Sequence, residues 1–125
     1  MSYTILILDD DSFMRKLMEV FFTQDGYNVL QASDGNEANQ YLSSGIVDLI
    51  TCDIMMPDMD GFVFLEQLKA DKRYQDIPVI VVTAAGLPDT ITRLYRLGAC
   101  CVVEKPFTTE AIRSAINTAI ENLQS

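Results

Sequence analysis

Short apolar, β-rich runs recur along this chain, and each is followed by a stretch whose apolar residues repeat at helical spacing. A strand that must reach the next strand through a helix ends up parallel to it. Helices then cover both sheet faces, so such strands read as continuous apolar runs rather than alternating ones. Tyr3 to Leu8 is the first run and stops at Asp9, Asp10 and Asp11; Phe13, Met14, Leu17, Phe21 and Phe22 follow at helical spacing up to Gly26. Tyr27 to Ala32 reads as a second strand, with Glu37, Ala38, Tyr41 and Leu42 as a short helix closed by Gly45. Asp48 to Cys52 is a third strand that delivers Asp53, and after the turn MMPDMDG the residues Phe62, Leu65 and Leu68 mark a third helix.

The run from Ile77 to Val82 is the most apolar, with Pro78 near its start, where a missing ladder donor is tolerated, and with Thr83 at its end. Ile91, Leu94, Tyr95 and Leu97 fit a fourth amphipathic helix ending at Gly98. Cys101 to Val103 forms a fifth strand running into Lys105 and Pro106. Ala111, Ile112, Ala115, Ile116, Ala119, Ile120 and Leu123 trace one stripe of a last helix that docks across the sheet. The expected fold class is α/β, a doubly wound five-stranded parallel sheet with right-handed crossovers. In such sheets the functional crevice lies at the carboxyl ends of the strands. Asp9 to Asp11, Asp53, Thr83 and Lys105 all stand at those ends, so separate strands aim chemically capable residues at one edge.

At 125 residues the chain holds one domain, expected over 1–125, and it ends soon after the last helix without room for an output domain. Eighteen acidic against nine basic residues give a net charge of -9, which argues against direct binding to nucleic acid. Cys52, Cys100 and Cys101 lack zinc-site spacing and there is no histidine, so they read as free thiols of a cytoplasmic, reducing compartment. No apolar run approaches the ~18 residues of a membrane span, and no basic leader precedes the first strand.

Several carboxylates at one mouth repel one another unless a cation compensates them. Oxygen-only ligands favour a hard divalent ion, and Mg²⁺ is the natural one where phosphate is also handled. A carboxylate can attack a phosphoryl group, and Asp53 is the best-placed nucleophile. Lys105 would supply positive charge and Thr83 a hydroxyl to the transferred oxygens.

Each residue also has a plainer reading. Asp11 with Ser12 reads as a helix cap or turn, and Asp58 and Asp60 read as turn residues beside Pro57 and Gly61. A lone lysine is ordinarily solvated, a strand threonine needs no catalytic explanation, and at least one of Met55, Met56 and Met59 packs inward. Asp9-Asp10-Asp11 also contains the D-x-D spacing of an aspartyl-phosphate hydrolase, with Asp9 as nucleophile and Asp11 as acid/base. The short chain, with no substrate-closing cap, counts against that alternative. Another rival is a phosphorylation-independent docking domain. The absence of a glycine-rich turn after the first strand argues against dinucleotide binding.

The segments ILILDDDSFMRKL, DLITCDIMMPDMDGF, VIVVTA and VVEKPF, in this order, resemble the receiver domain of bacterial two-component response regulators, including the chemotaxis type. The resemblance covers essentially the whole chain. It implies the flavodoxin-like strand order 2-1-3-4-5 and a phosphoryl-accepting switch rather than an enzyme. It also implies Asp53 as acceptor, with a histidine kinase or histidine phosphotransfer protein as donor. Asp10 would contact Mg²⁺ directly, Asp9 mainly through water, and Met55 through its backbone carbonyl.

Thr83 and Lys105 match the family's hydroxyl and lysine positions, and Pro106 matches its usual cis proline. The output implied is a downstream effector protein or a fused output domain, with phosphorylation-dependent dimerisation open. Met55 and Ala85 match positions whose side chains modulate loss of phosphate. One departure is that Val102 stands where the family often carries Tyr or Phe. Transmission would then run through Thr83 and the following loop, without an aromatic ring that changes rotamer.

Overall fold

The computed structural model describes residues 2–57, 59–84 and 86–124. In chain order the elements are β1 (Thr4–Leu8), α1 (Ser12–Gln24), β2 (Asn28–Ala32), α2 (Gly35–Ser43), β3 (Leu49–Cys52), β4 (Met55–Met56), β5 (Met59–Asp60), α3 (Gly61–Ala70), β6 (Val79–Thr83), α4 (Pro88–Arg96), β7 (Cys101–Glu104) and α5 (Thr109–Gln124). Five strands form one sheet in the order β2-β1-β3-β6-β7, and every pairing in it is parallel. With the two-residue pair β4 and β5 set aside, this is the expected 2-1-3-4-5 order.

Side-chain alternation divides the core between the two faces. Ile5 and Ile7 of β1, Leu49, Ile80 and Val82 pack with Met18 and Phe22 of α1 and with Ile112, Ala115, Ile116 and Ala119 of α5. Leu6 and Leu8, Ile50 and Cys52, and Val79 and Val81 pack on the other side with Ala38, Leu42, Phe64, Leu65, Leu68 and Leu94 from α2, α3 and α4. Both faces are therefore covered, which explains why the central strands carry no polar alternation.

Three local features differ from expectation for identifiable reasons. β6 begins after Pro78, whose carbonyl still accepts the Ile50 N–H at 3.0 Å although its nitrogen has no proton to give. The MMPDMDG segment contains a small antiparallel pair, Met55 with Asp60 and Met56 with Met59. Asp60 then caps α3 by accepting the Phe62 N–H at 2.8 Å. Asp58, expected in the same turn, lies outside the described residues. Of the three methionines there, Met56 is buried and Met55 is exposed.

Three members of the expected helical stripes face solvent, the small Ala111 at the start of α5 and two large side chains. Phe13 is 71% exposed because it occupies the first turn of α1, beside the strand-end acids rather than over a strand. Tyr95 of α4 is 48% exposed. Its hydroxyl reaches the sheet edge and accepts the Val102 N–H at 3.2 Å.

The loop after Asp53 is packed without slack. Gly61 donates its N–H to the Ile54 carbonyl at 3.2 Å. A Cβ at Gly61 would lie 2.3 Å from the Ile54 Cα, a backbone atom with nowhere to go. Gly61→Ala is expected to destabilise the chain by about 1–3 kcal/mol through overpacking. Urea unfolding checks this: the midpoint should fall while the slope stays constant, and a parent-like midpoint would mean that the loop can yield.

Candidate phosphoryl-acceptor site

The parallel register brings the ends of β1, β3, β6 and β7 to one edge of the sheet. Asp9 follows β1, Asp53 follows β3, Thr83 closes β6, and Lys105 follows β7. Lys105 is held there by its own backbone, whose N–H donates to the Thr83 carbonyl at 2.9 Å, and the Lys105–Pro106 bond is cis. From this position the Lys105 side chain crosses the end of β6 and inserts its ammonium between two carboxylates. Nζ lies 2.8 Å from Asp9 Oδ2 and 2.9 Å from Asp53 Oδ2.

The remaining carboxylate oxygens are engaged by backbone donors. Asp9 Oδ1 accepts the Asp11 N–H at 2.9 Å, and Asp53 Oδ1 accepts the Met55 N–H at 2.9 Å. Asp9 is 1% exposed and Asp53 is buried, while Asp10 is open to solvent. Carboxylate oxygens of Asp9, Asp10 and Asp53 lie within 4.8 Å of one another. The arrangement is thus a buried pair of acids joined by one lysine, with a third acid at the solvent side.

Burial pushes the Asp9 carboxyl up from its ordinary value, and hydrogen bonds from Lys105 and the Asp11 N–H only partly counter it. Burial acts downward on the Lys105 ammonium, but its hydrogen bonds to Asp9 and Asp53 outweigh that and hold it protonated above the ordinary lysine range. Burial also raises the neighbouring Cys52 thiol, with the charges of Asp53 and Asp9 adding to the effect, so this sulfur is no nucleophile. Three acids against one ammonium leave an excess of negative charge. Together with an all-oxygen donor set, that excess fits a hard divalent cation.

Asp11 turns away from this cluster. Its carboxylate accepts the Phe13 and Met14 N–H groups at 2.9 and 3.3 Å and caps α1. With Asp11 so occupied and Asp9 enclosed, the D-x-D hydrolase alternative finds no open nucleophile and acid pair. Val102 sits on β7, and Thr83 is fully buried at the end of β6. Ala85 lies outside the described residues.

Two participants are not evident from the sequence reading. Arg15 Nη1 donates to the Asp9 carbonyl at 2.6 Å, and its Nε donates to Gln31 Oε1 at 3.2 Å. It thereby fixes the backbone from which Asp9 projects, and its spacing one helical turn after Asp11 is the signal that could have found it. The second is Asp9 itself, as direct partner of Lys105.

Removing the ammonium leaves two enclosed carboxylates uncompensated. In metal-free buffer Lys105→Met is expected to lose on the order of 3 kcal/mol near neutral pH. The parent keeps the Lys105 contribution in full below the ordinary lysine value of 10.5 and loses it only as pH rises through the elevated folded value. In the variant, Asp9 loses the donor that restrained its already raised pKa, so the folded state binds a proton more readily than the unfolded one. The stability gap to the parent should therefore narrow as pH falls from neutral toward the ordinary carboxylate value of 3.8 in urea titrations, whereas a pH-independent gap would contradict the electrostatic origin.

The sequence profile of the response regulator receiver domain matches residues 5–117. Response regulator Rre1 of Synechocystis sp. is 30% identical over 123 residues, which cover 98% of this chain and 53% of the relative. A probable transcriptional regulator, ycf27 of Guillardia theta, is 37% identical over 117 residues, covering 93% of this chain and 44% of the relative. The chain spans about half the length of these two relatives. The chemotaxis protein CheY of Pseudomonas aeruginosa is 35% identical over 120 residues and is matched over 97% of its length, with 95% of this chain covered. Among solved structures, Vibrio cholerae chemotaxis protein CheY4 has a TM-score of 0.88 at 26% identity, covering 95% of this chain and 99% of that one. Fold, strand-end chemistry and sequence likeness agree: the chain belongs to the response regulator receiver domain family.

Proposed function

We propose that this domain, expected over 1–125, is a phosphoryl-accepting switch in a two-component phosphorelay, with Asp53 as acceptor. The observation that carries the reading is Lys105 Nζ, 2.8 Å from Asp9 and 2.9 Å from Asp53, in the strand-end crevice. A carboxylate oxygen of Asp53 attacks phosphorus in line, forming an acyl phosphate as the bond to the donor breaks. Lys105, already at that oxygen, turns its charge to the incoming phosphoryl group, and Thr83 supplies a hydroxyl donor.

Asp9, Asp10, Asp53 and the Met55 backbone carbonyl would hold Mg²⁺, which when bound supplies positive charge against the transferred oxygens. A histidine kinase or histidine phosphotransfer protein is the donor in this reading. A downstream effector or a fused output domain reads the phosphorylated surface, and a phosphorylation-dependent dimer is one form that surface can take. The three free thiols and the phosphodonor class support a cytoplasmic location in this reading. Among the described residues no helix is long and apolar enough to cross a membrane.

Val102 lacks a ring to move with Thr83, so the shift passes through the backbone after β6 and the turn carrying Lys105 and Pro106. Met55, 62% exposed beside Asp53, would hinder water at the acyl phosphate in this reading, with Ala85 the second position proposed to tune its lifetime.

Intact-mass spectrometry after treatment with acetyl phosphate tests the acceptor. One phosphoryl adduct is expected in the presence of Mg²⁺, strongly reduced in chelator and absent from Asp53→Ala. An adduct that persists in Asp53→Ala would contradict the assignment.

A further inference from the structure

Cys100 and Cys101 stand apart from the carboxylate site, at the opposite end of β7 from Lys105. Successive strand residues point to opposite faces, but Cys100 lies in the bend before β7 and only Cys101 is in the strand. The bend brings both sulfurs to one side, with Sγ atoms 3.8 Å apart. They are unbonded, since a disulfide would hold them at about 2.05 Å. Both residues are partly exposed, and Cys101 lines an open groove with Ser114, Ala115 and Thr118 of α5.

Two polar side chains act on Cys100. Asn122 Nδ2 donates to Cys100 Sγ at 3.2 Å, and the Lys69 ammonium acts electrostatically on Cys100. Lys69 is anchored by donating to the Gln75 and Ile77 carbonyls at 3.0 and 2.7 Å, so its charge is fixed in place. Cys101 Sγ faces the Ala115 carbonyl at 4.0 Å. Burial, followed by the nearby Cys100, pushes the Cys101 thiol up to about 11, and a neutral centre bonded to both sulfurs would remove that opposition.

The spacing lets one centre reach both sulfurs. Two bonds of about 2.3 Å from a shared thiophilic centre span at most about 4.6 Å, and the 3.8 Å separation lies within that reach. Zinc would need further protein ligands. The chain has no histidine, and among the described residues the one grouping of three metal-binding side chains is Asp9, Asp10 and Asp53. A centre that brings its own third substituent and needs only two sulfurs from the protein is what remains.

We propose that Cys100 and Cys101 form a dithiol site for a trivalent thiophilic metalloid, held by both sulfurs at once. With an organoarsenic oxide, both S–H groups give their protons to the oxide oxygen. Two As–S bonds replace the As–O bonding, one water leaves, and no electrons change hands. Because β7 runs from Cys101 into the Lys105 turn, an occupied site would sit at the root of the strand that delivers the cation to the acids.

Phenylarsine oxide tests the site on the reduced, folded chain. The parent should gain one phenylarsenic unit with loss of one water. Cys100→Ser and Cys101→Ser should each lose resistance to a competing monothiol by roughly a hundredfold, the advantage of an intramolecular second thiol. A variant-free measurement accompanies this: bound arsenical should protect Cys100 and Cys101 from alkylation, as mapped by peptide. Either no adduct on the parent, equal resistance in the serine variants, or alkylation of both cysteines despite the adduct would overturn the proposal.

Discussion

The contact on which the rest of this structure depends is the Lys105 ammonium lodged between Asp9 and Asp53. It joins the ends of three strands that are far apart in sequence and, in the case of β7 and β1, separated in the sheet by β6 and β3. Adjacent strands lie about 4.8 Å apart, so a lysine leaving β7 has to cross β6 to reach β3. The backbone bond from Lys105 to Thr83 starts that crossing at the right height. Few side chains other than a long flexible one ending in a cation could both span the gap and satisfy two acids.

The same contact explains how an acidic chain keeps carboxylates under cover. Burial opposes the charge on Asp9, yet Lys105 and backbone N–H groups engage the oxygens of Asp9 and Asp53. The arrangement is an incomplete neutralisation, because Asp10 adds a further negative charge at the solvent side. A site with that residual charge favours the arrival of a cation or of a positively compensated phosphoryl group. Charge balance therefore links folding and proposed chemistry through the same atoms.

Much of this was legible from residue order. The β1, β3 and β6 runs are apolar on both faces because helices cover both sides, and their ends name Asp9, Asp53 and Thr83 directly. Asp11 was readable as a cap from its place before Ser12. Lys105 was legible as a strand-end residue, but its resting partnership with Asp9 depends on the three-dimensional strand order. Arg15 contacts a backbone carbonyl, and its one trace in residue patterning is its spacing one helical turn after Asp11. Tyr95 was assigned to an apolar helix stripe, whereas its hydroxyl serves the edge of β7, because a tyrosine can cover a surface with its ring and satisfy a backbone donor with its tip. The short pair of β4 and β5 was hidden because Pro57 and Gly61 are equally suited to a simple turn.

The most direct test of the central claim is chemical location of the phosphoryl group. After incubation with acetyl phosphate and Mg²⁺, borohydride reduces an aspartyl phosphate to homoserine, and tandem mass spectrometry of the digested chain reads its position. The account predicts homoserine at position 53 alone; the same mark at Asp9 or Asp10 instead would contradict it.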